Sequence, residues 1–174
     1  MKPLILSYRG ATPDIHPTAF IAPGAVVVGK VKIGAYSNIW FGCTVRGDVN
    51  TIEIGENTNI QDGTVVHVTR ETGPTTIGNG VTIGHGAVIH ACTLEDNCFV
   101  GMGATILDHA VVESEGMLAA GALLTPKKRV IRGELWAGNP AKKMREMTEA
   151  EKAFLPQSAK NYVELGQEYF NLMV

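Results

Sequence analysis

"IGNGVTIGHGAVIHACTLEDNCFVGMGATILD", Ile77–Asp108, decides the fold. Ile77, Ile83 and Ile89 are six residues apart, and Leu94, Val100 and Ile106 restart the same count. A small residue, often Gly, follows the aliphatic, and a second small residue comes four after it. A period of six is not helical and is too long for simple strand alternation. Working outward, the count takes in Ile15, Ile21, Val27, Ile33, Ile39 and Val45, then Ile54, Ile60 and Val66, and finally Val112, Leu118 and Leu124. One aliphatic per hexapeptide fits a parallel β-helix. Three hexapeptides make a three-faced coil of about 18 residues, and stacked coils pair about 4.8 Å apart. No single face can bury its aliphatic; a stack buries a continuous column. The coils are expected to start near Ile15, Ile33, Ile54, Ile77, Leu94 and Val112.

The count is interrupted in three places. Three extra residues lie between Val45 and Ile54, five between Val66 and Ile77, and one is missing between Ile83 and Leu94. Insertions at solenoid corners often map to a functional edge, and these flank His67, His85 and His90. Beyond Val130 the count stops. The expected division is a β-helix over 1–135 and a helical segment over 136–174 packed on it. Asn139–Pro140 reads as an N-cap and first helical position, and Thr148 with Glu151 as a capping box for a second helix. Pro156 is expected to kink or divide that helix. Phe154, Tyr162, Leu165 and Tyr169 form a stripe expected to lie along the prism.

Composition narrows the function. A net charge of −2 and a pI near 6.2 give no electrostatic footprint for nucleic acid or an anionic membrane. Leu4–Leu6 is too short an apolar run for a signal peptide, and no stretch approaches the roughly 20 apolar residues of a spanning helix. Cys43, Cys92 and Cys98 are odd in number and lack CxxC spacing, so they read as reduced, buried residues of a cytoplasmic protein.

Register places the histidines. His67 follows Val66 and His90 follows Ile89, both on the third face, so they are equivalent positions one coil apart. Their Cα atoms are expected about 5 Å apart, with side chains pointing outward, close enough to share a zinc at bond lengths near 2.1 Å. Arg46 belongs to the same column. His85 sits two residues after Ile83 on the second face, stacked on Asp62, and is not expected to reach the same metal within its own chain. If the three form one site, His85 comes from a second subunit, and a two-face contact repeated cyclically closes as a trimer. Arg46, Asp48, Asn59, Gln61 and Asp62 are polar residues that break the hexapeptide rule nearby. Register alone leaves two readings open: a shared metal, or ordinary surface histidines.

"VRGDVNTIEIG" from Val45, "TNIQDGTVVHV" from Thr58, "IGHGAVIHACT" from Ile83 and "VGMGATILD" from Val100 resemble the γ-class carbonic anhydrases and their bacterial homologues, over roughly residues 10–145. The resemblance implies a left-handed β-helix and a homotrimer with metal between subunits. It implies Zn²⁺, or Fe²⁺ or Co²⁺, on His67, His85 and His90, and reversible hydration of CO₂ to bicarbonate. It further implies that Gln61 hydrogen-bonds the reacting ligand, that Asn59 lines the CO₂ pocket and that Arg46 and Asp48 pair near the interface. Asp62 is implied as an orienting group there. Two positions depart from the family: Val49 stands where a Glu follows "RGD", and Glu71 is the only carboxylate in the loop "VTRETGPTT" that could relay protons. Two other functions share this scaffold. One is an acyltransferase or thioesterase acting on acyl-CoA, whose "GNPAK" ending matches Gly138–Lys142; such enzymes usually use one His as base and no metal. The other is a non-catalytic metal-binding trimer.

Overall fold

The aliphatic positions spaced by six fall on short strands that stack in three columns. One column runs Ile15, Ile33, Ile54, Ile77, Leu94, Val112 and Val130. The second runs Ile21, Ile39, Ile60, Ile83, Val100, Leu118 and Trp136. The third runs Ile5, Val27, Val45, Val66, Ile89, Ile106 and Leu124. Every coil-to-coil pairing in these columns is parallel, and from Val27 to Leu124 each member is buried. The computed structural model, which describes residues 2–173, is thus a left-handed parallel β-helix of hexapeptide repeats closed by a C-terminal helix. Met1 and Val174, the outermost residues of the two expected segments, lie outside the described residues. Among the described residues no helix is long and apolar enough to cross a membrane.

Ile5, Val130 and Trp136 extend the columns beyond the sequence count. The Leu4–Leu6 strand pairs with Val26–Val28 and opens the first coil. The three cysteines are free and buried. Burial pushes the Cys43 thiol up to about 11 and the Cys92 thiol up to about 12, so neither is a thiolate at neutral pH.

Each interruption has a structural counterpart. The three extra residues after Val45 lengthen one strand to Thr44–Ile54, which runs around a corner and joins the first and third faces into one sheet. The five extra residues after Val66 fold into a tight hairpin closed by an antiparallel Thr69–Gly73 bridge, with Glu71 at φ 63° inside it. Near the missing residue, Ala91 turns the corner after Val88–His90 with φ 48°.

The C-terminal region departs from the sequence reading. Asn139 and Pro140 do not start a helix; they form the turn of an antiparallel hairpin between Glu134–Gly138 and Ala141–Glu146. The reason is tertiary. Leu135 and Trp136 pair with Met117 and Leu118 and supply one more layer of core, and this outweighs a local helix-start signal. The expected boundary at 135/136 therefore falls inside a strand. Among the described residues the one helix is Glu149–Met173. Its capping box forms as expected: Thr148 Oγ1 accepts from Glu151 N at 3.3 Å, and Glu151 Oε2 accepts from Thr148 N at 2.8 Å. The helix continues through Pro156 rather than dividing. Leu155 and Ala159 on either side of the proline are both buried against the prism, which holds the two halves on one face.

The packed stripe is also shifted. Tyr162 and Tyr169 meet Trp40 edge-on at 5.7 and 5.3 Å. Leu165 is 39% exposed and Phe154 49%, although Phe154 still approaches Phe99. Small residues take over the contact. Ser158 and Ala159 are buried, and a side chain at Gly166 would meet Asn38 at 3.2 Å. Polar bonds tie the helix to the second face: Asn38 Nδ2 donates to the Tyr162 carbonyl at 3.1 Å, and the Thr82 and Ser158 hydroxyls are 3.2 Å apart.

Candidate metal centre

His67 and His90 end the paired strands Val65–His67 and Val88–His90 and face each other in register. Their ring centroids are 5.3 Å apart, and His67 Nδ1 lies 3.3 Å from His90 Nε2. Each ring's other nitrogen meets a carboxylate: His67 Nε2 is 3.0 Å from Asp48 Oδ1, and His90 Nδ1 is 2.7 Å from Asp108 Oδ1. Burial raises the affinity of Asp48 for a proton, but hydrogen bonds from His67 and Arg46 outweigh it and hold the carboxyl below the usual range. The Thr69 hydroxyl, then His90, does the same for Asp108. An ionised carboxylate only accepts, so both imidazoles donate away from each other. Two nitrogen lone pairs are left facing across the 3.3 Å gap.

That arrangement fits a cation. In a tetrahedral site with metal–nitrogen bonds of about 2.05 Å, two ligand nitrogens are about 3.3–3.4 Å apart. A positive charge between the rings also relieves the lone-pair opposition. Carboxylates behind metal-binding imidazoles fix tautomer and orientation.

The other residues divide by face. Arg46 and Asp48 lie with His67: an Arg46 Nη1–Asp48 Oδ2 ion pair completes the third-face group. Asn59, Gln61, Asp62 and His85 lie on the second face. Asp62 Oδ2 is 2.9 Å from His85 Nδ1, matching the expected stack. Gln61 is buried; its Nε2 donates to Asn59 Oδ1 at 3.0 Å, and Asn59 Nδ2 donates to Thr82 Oγ1 at 2.9 Å. That relay continues to Ser158 on the helix. No described buried side-chain nitrogen or oxygen lacks a partner. Gln61 Oε1 has no hydrogen-bond partner among the described residues.

The His67–His90 pair and the His85–Asp62 pair are therefore separate groups, one on each of two faces. Among the described residues no three His, Cys, Asp or Glu side chains converge on a common point, and His85 stays apart from His67 and His90. Glu71 is exposed in the hairpin, and Val49 packs against the core. A cavity of about 690 Å³ lies elsewhere, at the N-terminal mouth of the prism beside Ile5, Ile15 and Phe170. The sequence reading did not find Asp108 or Thr69. Asp108 ends the stretch "VGMGATILD", one coil beyond His90, and its place two residues after Ile106 is the signal that could have found it.

Comparison with known proteins follows the same lines. A family model described as bacterial transferase hexapeptide (six repeats) matches residues 12–47. The chain is 52% identical to gamma carbonic anhydrase 1, mitochondrial, of Arabidopsis thaliana, covering 90% of this chain and 59% of that protein. It thus spans somewhat over half the length of that relative. It is 39% identical to the carbonic anhydrase of Geobacillus kaustophilus, covering 95% of this chain and 91% of the relative. A solved structure of a hexapeptide transferase family protein from Anaplasma phagocytophilum superposes with a TM-score of 0.93 at 53% identity, over 95% of this chain and 98% of that one.

Proposed function

We propose a function from the premise that this chain belongs to the γ-class carbonic anhydrase family of hexapeptide-repeat proteins: it hydrates CO₂ reversibly to bicarbonate at metal sites shared between subunits of a homotrimer. His67 and His90 of one subunit and His85 of the next hold the metal, Zn²⁺ or a divalent ion of similar preference such as Fe²⁺ or Co²⁺. The observation that carries this reading is the 3.3 Å separation of two imidazole nitrogens, each backed by a carboxylate. When bound, such a metal would supply a Lewis acid that lowers the pKa of water to near neutrality.

The chain's own groups do the rest. Asp62 accepts from His85 Nδ1 and leaves Nε2 free to ligate. Gln61, anchored through its Nε2 by Asn59, presents Oε1 as an acceptor that orients the attacking hydroxyl group. Arg46, held by Asp48, keeps further N–H donors for an anionic product. Glu71 is the carboxylate the hairpin offers for proton relay.

His90→Ala is expected to abolish metal binding and CO₂ hydration while leaving assembly intact. Metal analysis, stopped-flow hydration and light scattering read the three outcomes. Hydration persisting at the wild-type rate rules the proposal out.

A second reading, acyl transfer on the same scaffold, is favoured by the transferase description of the Anaplasma relative and by the Gly138–Lys142 ending. Such enzymes usually need one histidine base and no metal. A metal-free protein that turns over acyl-CoA selects it.

A further inference from the structure

We propose that Asp108, held by Thr69, is a positioning residue that fixes His90 as the Nδ1–H tautomer and aims its Nε2 lone pair at the gap facing His67. Asp108 Oδ1 lies 2.7 Å from His90 Nδ1, and Oδ2 takes the Thr69 hydroxyl. Both carboxylate oxygens are thus engaged from different directions, which stops the group from turning about its own axis. With Nδ1 donating, the lone pair sits on Nε2, the atom 3.3 Å from His67 Nδ1.

The anchor for this contact is the five-residue insertion after Val66. Its Thr69–Gly73 bridge sets the position of Thr69, and Asn50 Nδ2 donates to the Thr69 carbonyl at 3.0 Å. Asn50, Thr69, His90 and Asp108 follow third-column residues of four successive layers, Val45, Val66, Ile89 and Ile106. The hairpin that breaks the repeat thereby braces the His90 imidazole from behind, through Asp108. The strand that follows the hairpin, Thr75–Ile77, holds the His67 backbone: Thr75 Oγ1 donates to the His67 carbonyl at 2.6 Å. The Asp108 side chain is about one-third exposed, and its two oxygens go to His90 and Thr69.

The consequence for metal affinity rests on the proposed metal site; the tautomer does not. Long-range ¹H–¹⁵N correlation of metal-free protein reads the tautomer. Cobalt(II) titration by visible absorption reads the affinity. In the wild type His90 is expected as Nδ1–H. Asp108→Ala is expected to shift it to Nε2–H and to weaken cobalt binding by about 10–100-fold. Asp108→Asn, whose amide oxygen can still accept, is expected to retain the wild-type tautomer and most of the affinity. Thr69→Val is expected to weaken cobalt binding by about tenfold, and Thr69→Ser to restore it. It carries the test should Asp108→Ala fail to fold. An Nε2–H signal in the wild type overturns the proposal. So does an Asp108→Ala protein in which either tautomer or affinity stays at the wild-type value. A wild type that takes no cobalt sinks the metal reading instead, and the tautomer then decides the role of Asp108 by itself.

Discussion

Gly29 meets two constraints at once. Its φ is +78°, and a Cβ there would lie 2.5 Å from the carbonyl oxygen of Gly47 on the next coil. Gly86 has a similar φ of +68° but open space around it. An L side chain in the left-handed region costs about 1–2 kcal/mol, and overpacking against backbone adds about 1–3 kcal/mol. Gly29→Ala is therefore expected to lose about 2–5 kcal/mol and Gly86→Ala about 1–2 kcal/mol, read from urea midpoints. Equal losses would show that the coils do not approach this closely. The hexad count made the core and the His67–His90 stack legible at this scale, because strand register alone dictates both. It could not reach Thr69, which sits in an insertion that has no register. Nor could it find the Asp108 contact, which depends on a side chain leaning back across a corner toward the previous coil.

The helix was half legible. Thr148 and Glu151 encode its start through bonds between residues three apart, and local sequence is enough for that. The Glu134–Glu146 hairpin was missed because its stability comes from pairing with Met117–Leu118, a contact no local signal carries. Arg145 grips Glu151 with two nitrogens, and the Thr148 backbone N–H adds a third bond, so the Glu151 carboxyl is lowered from 4.5 to about 2. A carboxyl depressed in the folded state contributes stability above its unfolded pKa and loses it as pH falls through the folded one. Helix anchoring is thus expected to be complete above about pH 4.5 and to weaken toward pH 2. Glu151→Gln should flatten that slope in a helical circular dichroism titration. Thr148→Ala should cost about 1 kcal/mol at neutral pH. A wild-type slope unchanged by Glu151→Gln would place the acid sensitivity in another carboxyl.

At the scale of the whole molecule, the proposed function turns on two groups of side chains that lie on different faces. His67 and His90 lie on one face, while His85, Asp62 and Gln61 occupy another, and among the described residues the two groups do not meet. Val65, Val88 and Met102 stand 40%, 38% and 60% exposed beside these groups, apolar surface that a neighbouring subunit would cover. A cyclic trimer pairs one face with the other at each of its junctions. The arrangement has a consequence that neither a monomer nor a single-chain site shares. An H85A chain keeps His67 and His90, and an H90A chain keeps His85, so on the proposed trimer either variant alone is expected to lack every site. When the two are unfolded together in equal amounts and refolded, a junction is intact only if an H85A chain supplies the paired imidazoles and an H90A chain supplies the third. Random assembly gives that order at about one junction in four. Metal content and CO₂ hydration are expected to recover to about a quarter of wild type in the mixture, from near zero in either variant. If the mixture stays at zero while an affinity tag carried by one variant co-purifies the other, the site does not span subunits. If H85A alone binds a full complement of metal, His85 is not a ligand and the second face has another purpose.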